Sequence, residues 1–152
     1  MAKSVVAEVP IDVQPELVKR VQAILGVSRL RTDQDLVRLV EARLATSALD
    51  GLKHAGLTDG ELSNLVVPRR TLTHRRTRGE ALSRDESDRV VRVARIVALA
   101  EHVFGDGERG WRWLRAGKRQ LQGRSPLDLL ATETGARLVE ELLYRVDEGM
   151  AA

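Results

Sequence analysis

Apolar residues recur along most of the chain at the three- and four-residue spacing of amphipathic helices. One such stripe begins after Pro15 and stops at Gly26, a second follows Thr32, and a much broader one fills residues 84–104. No alternation of apolar and polar residues, the pattern of a half-buried strand, occurs after residue 14. The pattern therefore predicts an all-α protein.

Residues 1–14 are the one part of the chain without a helical pattern. They are rich in β-branched residues, which favour extended backbone. We expect either a disordered arm or an extended strap, and the composition does not choose between them.

Capping residues mark where several helices begin. Thr58 precedes Glu61, and Ser83 precedes Glu86, by the three residues of a capping box. The helix after Ser83 is predicted to reach Phe104. Because its apolar surface is too broad for a helix on the outside of a bundle, we expect it to be central and buried by its neighbours, to which a second copy of the chain could add.

The C-terminal third is predicted to hold short helices separated by turns. Residues 105–110 are expected to form a turn, and Trp111 to open a short helix in which Trp111 and Leu114 are buried. The last helix is predicted over residues 135–147. Its expected inward positions are Leu138, Val139, Leu142, Leu143 and Val146.

The segment 66–79 is a candidate binding helix because it holds five arginines, one histidine and no acid. Pro68 suits the first helical position and Gly79 the left-handed residue after a helix. At about 100° per residue, Leu72 points inward, while the outward side carries Arg70, Thr73, His74 and Thr77. Such a surface is suited to phosphates, although a charge run of this kind is also typical of a solvated face.

The residues before this segment strengthen the nucleic-acid interpretation. A short helix that begins after Thr58, a hydrophobic turn at 65–67 and the arginine-rich helix are ordered as in a helix-turn-helix motif. The turn holds no glycine, which departs from the usual motif. Arginines would contact phosphates, and Arg70, Thr73 and His74 could read base edges. The candidate DNA-binding residues are Arg69, Arg70, Thr73, His74, Arg75, Arg76 and Arg78.

Composition excludes several classes of function. The chain of 152 residues has a net charge of +3 and no cysteine, so disulfides and thiolate chemistry are excluded. It has no apolar run long enough to span a membrane and no secretory leader pattern, and we expect a cytoplasmic protein. No catalytic or metal-binding motif is recognisable, so we expect no enzyme, no catalytic residue, no bound metal and no cofactor.

From Leu57 to Gly149 the order of motifs resembles the Xre/MbcA/ParS family of bacterial type II antitoxins. The resemblance rests on residues 66–72, 79–83, 86–89, 103–105, 113–114, 121–130 and 132–136. It implies an all-helical antitoxin with an Xre-like helix-turn-helix part and a small C-terminal helical domain that binds toxin. We expect the first part, with DNA binding and dimerisation, over residues 1–79, and the second over residues 80–152.

The resemblance also implies the partners. Toxins of this family are RES-domain proteins, similar to ADP-ribosyltransferases, that consume NAD, and the antitoxin would neutralise the one encoded beside it. The antitoxin would also bind its operator DNA, regulate its own transcription and form a homodimer within a larger complex. Two other functions stay open: a stand-alone transcriptional repressor with a C-terminal oligomerisation domain, and a helical adaptor that binds only protein.

The C-terminal end differs in charge from the arginine-rich helix. Between Glu133 and Glu148 there are five acids against two arginines, a composition complementary to a toxin that holds an anionic dinucleotide. A tail after Gly149 could enter the toxin's substrate cleft. The candidate toxin-binding residues are Glu141, Tyr144, Arg145, Glu148, Gly149 and Met150.

Overall fold

The computed structural model describes residues 15–149, and the expectation for residues 1–14 lies outside the described residues, as does the tail 150–152. The described part contains helices and no strand, which confirms the all-α prediction. The helices are α1 Pro15–Leu25, α2 Asp33–Glu41, α3 Ser47–Ala55, α4 Asp59–Leu65, α5 Arg69–Arg78, α6 Arg84–Phe104, α7 Gly107–Arg115, α8 Pro126–Leu129 and α9 Glu133–Asp147, with a 3-10 turn at Arg119–Leu121 between α7 and α8.

The long helix α6 lies at the centre, as its broad apolar surface predicts. It packs against α1, α2 and α3 on the N-terminal side and against α7 and α9 on the C-terminal side. Val90, Val93 and Ala94 have no exposed surface. A fully buried aliphatic side chain of this kind contributes roughly 1.5–3 kcal/mol, so α6 provides much of the single core that joins the two ends of the described chain.

Capping boxes begin three of these helices. The side chains of Thr32, Thr58 and Ser83 each accept a hydrogen bond from the third helical amide, and an acid at that third position accepts one from the cap amide. The boxes predicted at Thr58 and Ser83 are therefore confirmed. Gly79 has φ +65° and ends α5 in the left-handed conformation, as predicted.

Three helix starts differ from prediction. Helix α9 begins at Glu133, two residues before the predicted start at Gly135, because Thr132 caps it. Pro68 is the N-cap of α5 instead of its first helical residue, so the helix begins at Arg69. The expected turn at 105–110 is wrong beyond residue 106. Asp106 Oδ1 accepts a hydrogen bond from the Arg109 amide at 2.7 Å, and this cap starts α7 four residues before Trp111.

The inward face of α9 also differs from prediction. Val139 and Leu143 are fully buried, but Leu138 is 47% exposed. A Cβ on Gly135 would lie 2.0 Å from the Leu129 carbonyl oxygen, so α9 meets the end of α8 with Gly135 facing it. This contact fixes the rotation of the helix, and Leu138 then lies roughly a third of a turn from the buried stripe.

A close joint connects α7 to the end of α3. The indole Nε1 of Trp111 donates a hydrogen bond to the Ala55 carbonyl at 2.6 Å. Gly56 has φ +128°, and a Cβ there would lie 2.3 Å from that same nitrogen. Only glycine combines this backbone conformation with room for the indole. The guanidinium of Arg115 covers the Trp111 ring at 4.5 Å from its centre.

Candidate functional site

Helices α4 and α5 form the predicted helix-turn-helix arrangement. The turn between them is apolar, and Val66 and Val67 are almost completely buried in it. Neither residue has a positive φ. This explains why the turn needs no glycine: its backbone avoids the left-handed region, and the two valine side chains anchor the turn in the core.

Two carboxylates that cap helices also hold this motif in place. Glu61, which caps α4, accepts hydrogen bonds from Arg115 Nε at 2.8 Å and from Arg115 Nη2 at 3.0 Å. Burial alone would raise the pKa of Glu61, but the hydrogen bonds from Arg115 and from the Thr58 amide outweigh it and lower the pKa. The start of α4 is therefore fastened to α7 by a two-point ion pair.

Glu86, which caps α6, holds the middle of α5 in the same way. It accepts hydrogen bonds from Arg75 Nε at 2.8 Å, from Arg75 Nη2 at 3.1 Å and from the Ser83 amide at 2.7 Å. Burial acts to raise its pKa, but these hydrogen bonds together bring it below the ordinary value. Arg75 is thus directed toward α6, away from the outer side of α5.

The outer side of α5 brings several predicted residues together. Arg69, Arg70, Thr73, His74 and Thr77 line one shallow, open concavity, and all five are exposed. Neither arginine forms an ion pair with any of the described residues. The Thr73 hydroxyl donates to the Arg69 carbonyl at 3.0 Å, which leaves its oxygen lone pairs and its methyl group for a ligand.

The two remaining arginines of the helix are only loosely engaged. Arg76 lies 3.0 Å from Asp50, and Arg78 lies 4.0 Å from Glu80, with exposed side chains in both pairs. Exposed pairs of this kind contribute about 0–1 kcal/mol. Both guanidiniums can therefore exchange their carboxylate for a phosphate at little cost, whereas Arg75 cannot.

The candidate residues of the last helix lie on two different surfaces. Glu141, Arg145, Glu148 and Gly149 are exposed on the outside of the molecule. Tyr144 is 44% exposed and instead borders a groove beside α9. Partial burial and the nearby Glu140 raise the pKa of Tyr144, so its phenol keeps its proton. Met150 lies outside the described residues.

This groove, which the sequence did not predict, lies between α1 and α2 on one side and α6 and α9 on the other. Its volume is about 330 Å³. Aliphatic side chains form its floor, and charged side chains form its rim. The lining residues are Leu17, Val18, Val21, Leu30, Thr32, Asp33, Leu36, Arg95, Leu99, His102, Glu140, Tyr144 and Asp147.

The described residues offer no group of three or more His, Asp or Glu side chains placed to hold a metal ion. The three histidines lie on three different helices, with His54 on α3, His74 on α5 and His102 on α6. None of the helices within residues 15–149 is both long enough and apolar enough to cross a membrane.

Comparison with known proteins gives matches over both halves of the chain. The family model described as "Antitoxin Xre-like helix-turn-helix domain" matches residues 35–95. The model described as "Antitoxin Xre/MbcA/ParS C-terminal toxin-binding domain" matches residues 99–149. The first match contains α3, α4 and α5, and the second contains α7, α8 and α9. Helix α1 lies outside both.

Individual relatives are also described as Xre antitoxins. A protein called "Antitoxin Xre" from Pseudomonas putida is 35% identical over 130 residues, which cover 86% of this chain and 82% of the relative. An "Antitoxin Xre" from Yersinia enterocolitica is 38% identical over 85 residues, or 55% of this chain and 57% of the relative.

Proposed function

The chain belongs to the Xre antitoxin family, and we propose that it neutralises a RES-domain toxin encoded beside it and represses its own operon. In this proposal it acts by binding alone, without catalysis and without a cofactor. Residues 1–79 serve DNA binding and dimerisation, and residues 80–152 serve toxin binding. The observation that carries the proposal is the exposed surface of α5, where Arg69 and Arg70 form no ion pair with residues 15–149, within a chain that also matches a toxin-binding domain.

For DNA, α5 is proposed to enter the major groove. Arg69 and Arg70 have guanidiniums available for phosphates or for the acceptors of guanine. Thr73 presents acceptor lone pairs, and His74 stands beside it. Arg76 and Arg78 would leave their weak ion pairs to contact phosphates. Arg75 would act differently from the others, because its bonds to Glu86 hold the helix in position.

Salt dependence tests this electrostatic contact. If each subunit of a homodimer contacts about four phosphates, the slope of log affinity against log salt concentration should be about −7. The measurement is a titration of labelled promoter DNA at several salt concentrations. A slope near zero would contradict the proposed role of α5.

For the toxin, the exposed part of α9 and the residues after it are the proposed contacts: Glu141, Tyr144, Arg145, Glu148, Gly149 and Met150. A chain truncated after Val146 tests them in cells that express the toxin. We expect loss of growth rescue, because the truncation removes the end of the acidic helix and the tail. Undiminished rescue would refute a tail that enters the toxin.

Co-purification of the chain with the product of the neighbouring reading frame tests the whole proposal. We expect a stoichiometric complex in which the partner alone consumes NAD and the complex does not. Tight operator binding without any such partner would favour a stand-alone repressor. If the chain shows neither a toxin partner nor operator binding, a protein-binding adaptor would be favoured.

A further inference from the structure

The floor of the groove beside α9 is an unfilled apolar surface. Val21, Leu30 and Leu99 form its buried part, and half-buried Leu17, Val18 and Leu36 continue it toward solvent. Its volume of about 330 Å³ is roughly twice that of a cavity that holds benzene. Ligand-binding pockets in proteins have volumes of about 300–1,000 Å³ and mostly apolar linings, so this groove is large enough and apolar enough to bind a partner.

The rim of the groove carries an excess of negative charge. Asp33, Glu140 and Asp147 lie on it, opposed by Arg95 and His102. Arg95 is already engaged by Glu140, at 3.5 Å. Within the described part of the chain, neither Asp33 nor Asp147 has a cationic partner within 4 Å. Among residues 15–149, these two carboxylates beside the apolar floor therefore have no ion-pair partner.

We propose that this groove binds a segment of the toxin in which an aliphatic side chain is flanked by lysine or arginine. The aliphatic side chain would fill the floor, and the flanking cations would face Asp33 and Asp147. Tyr144, whose phenol keeps its proton, would donate a hydrogen bond to the segment's backbone. The inference rests on the proposed function, and it extends the toxin-binding surface to α1 and the start of α2, outside the matched toxin-binding region.

One wall of the groove is formed by α9, which lies within the matched toxin-binding region. A segment bound in the groove would therefore continue the proposed toxin-binding surface, and this continuity together with the acidic rim favours the toxin as the occupant. A second copy of the chain is the rival occupant, because it exposes Val37 beside Arg38 and Leu138 beside Arg137. The oligomeric state of the free chain separates this rival from the toxin.

A charge reversal tests the rim. Asp147→Lys places a cation in the last turn of α9, where the helix dipole tolerates it, but repels a basic segment. We expect its affinity for the purified toxin, measured by calorimetry, to fall about tenfold. The matched control is Glu41→Lys, an exposed position at the end of α2 away from the groove, which should change affinity by less than about twofold.

Alkylation of a single cysteine tests the floor. Because the chain has no cysteine, Leu36→Cys gives one thiol in the groove and Glu41→Cys gives one on the same helix outside it. Excess toxin should slow alkylation of the first at least tenfold and leave the second unchanged.

Each other outcome overturns the inference. If the wild-type chain fails to bind the toxin, the proposed function itself fails. If it binds the toxin and both tests show no effect, only the groove assignment fails. If Asp147→Lys alters sedimentation of the free chain but leaves toxin affinity unchanged, the occupant is a second copy. If removal of residues 1–14 accelerates alkylation at position 36 and toxin does not slow it, the chain covers its own groove.

Discussion

Helices α5 and α9 both present exposed side chains to proposed partners, but they are held in place by different forces. Over its ten residues α5 buries no side chain completely, and apart from half-buried Leu72 it is fastened by ion pairs, chiefly that of Arg75 with Glu86. Over its fifteen residues α9 buries five, among them Val139 and Leu143. The position of α5 should therefore depend on pH, and that of α9 on packing.

The largest expected effect comes from the packed helix. Leu143→Ala should destabilise the protein by about 3 kcal/mol, because it leaves a cavity in the core. For a chain of this length that corresponds to a fall in Tm of roughly 6–12 °C in thermal unfolding. Leu138→Ala is the control, and its exposed position predicts a change below about 0.5 kcal/mol. Equal effects would show that α9 is rotated so that Leu138 also faces the core.

The next largest effect comes from the ion pair between Glu86 and Arg75. Glu86→Gln should destabilise the protein by about 2 kcal/mol, since it removes charged hydrogen bonds to Arg75 and weakens the cap of α6. Chemical denaturation measures the change. Asp85→Asn at the neighbouring exposed position should cost less than about 0.5 kcal/mol, and a similar loss in both variants would argue against a specific role for the pair.

The same pair predicts how stability depends on pH. The pKa of Glu86 is lower in the folded protein than its ordinary value of 4.5. The ionised Glu86 therefore contributes fully to folding stability above its ordinary pKa, and this contribution is lost as the pH falls through the lower pKa of the folded protein. Stability of the wild type should decline more steeply below pH 4.5 than that of Glu86→Gln. Parallel curves would show that other carboxylates dominate the acid response.

A smaller effect distinguishes an arginine of α5 that contacts DNA from one that holds the helix in place. Arg70→Ala should weaken operator binding by about 1–2 kcal/mol without a change in Tm, because its side chain forms no ion pair within residues 15–149. Arg75→Ala should lower Tm as well as DNA affinity. Titrations of promoter DNA combined with thermal unfolding distinguish the two variants. Equal changes in Tm and in DNA affinity would contradict the different roles assigned to Arg70 and Arg75.

The smallest effect concerns Arg76. Arg76→Ala should change stability by less than about 0.5 kcal/mol, because its pair with Asp50 is exposed. It should weaken binding to all DNA sequences alike and make the salt slope shallower by about 0.9 for each phosphate that the variant no longer neutralises. An unchanged slope would place Arg76 outside the phosphate-binding surface.

Local sequence signals predicted much of this structure correctly. The capping boxes at Thr58 and Ser83, the end of α5 at Gly79 and the central position of α6 depend on residues within a few positions of one another, so they are visible in the sequence. The start of α7 was missed because the stretch from Gly105 to Gly110 was predicted to be a turn, whereas the Asp106 cap is sufficient to begin a helix within it.

The errors and omissions arise from contacts between distant segments. The rotation of α9, which exposes Leu138, depends on where Gly135 meets α8. The inward direction of Arg75 depends on a carboxylate eleven residues away on another helix. The groove is formed only where α1, α2, α6 and α9 meet, and its lining residues do not make up a motif that could be recognised in the sequence. Helical periodicity carries no information about such encounters.

The joint between Trp111 and Gly56 has a practical consequence for exchanging parts among antitoxins. The indole from one half of the chain occupies the space that any side chain at position 56, in the other half, would need. A chimera that transplants the C-terminal half onto a foreign helix-turn-helix would therefore require glycine at the recipient position, together with an acid that can receive Arg115. Hybrid proteins that combine the two halves without regard to this contact should misfold where position 56 meets Trp111, whatever their ability to bind DNA or toxin.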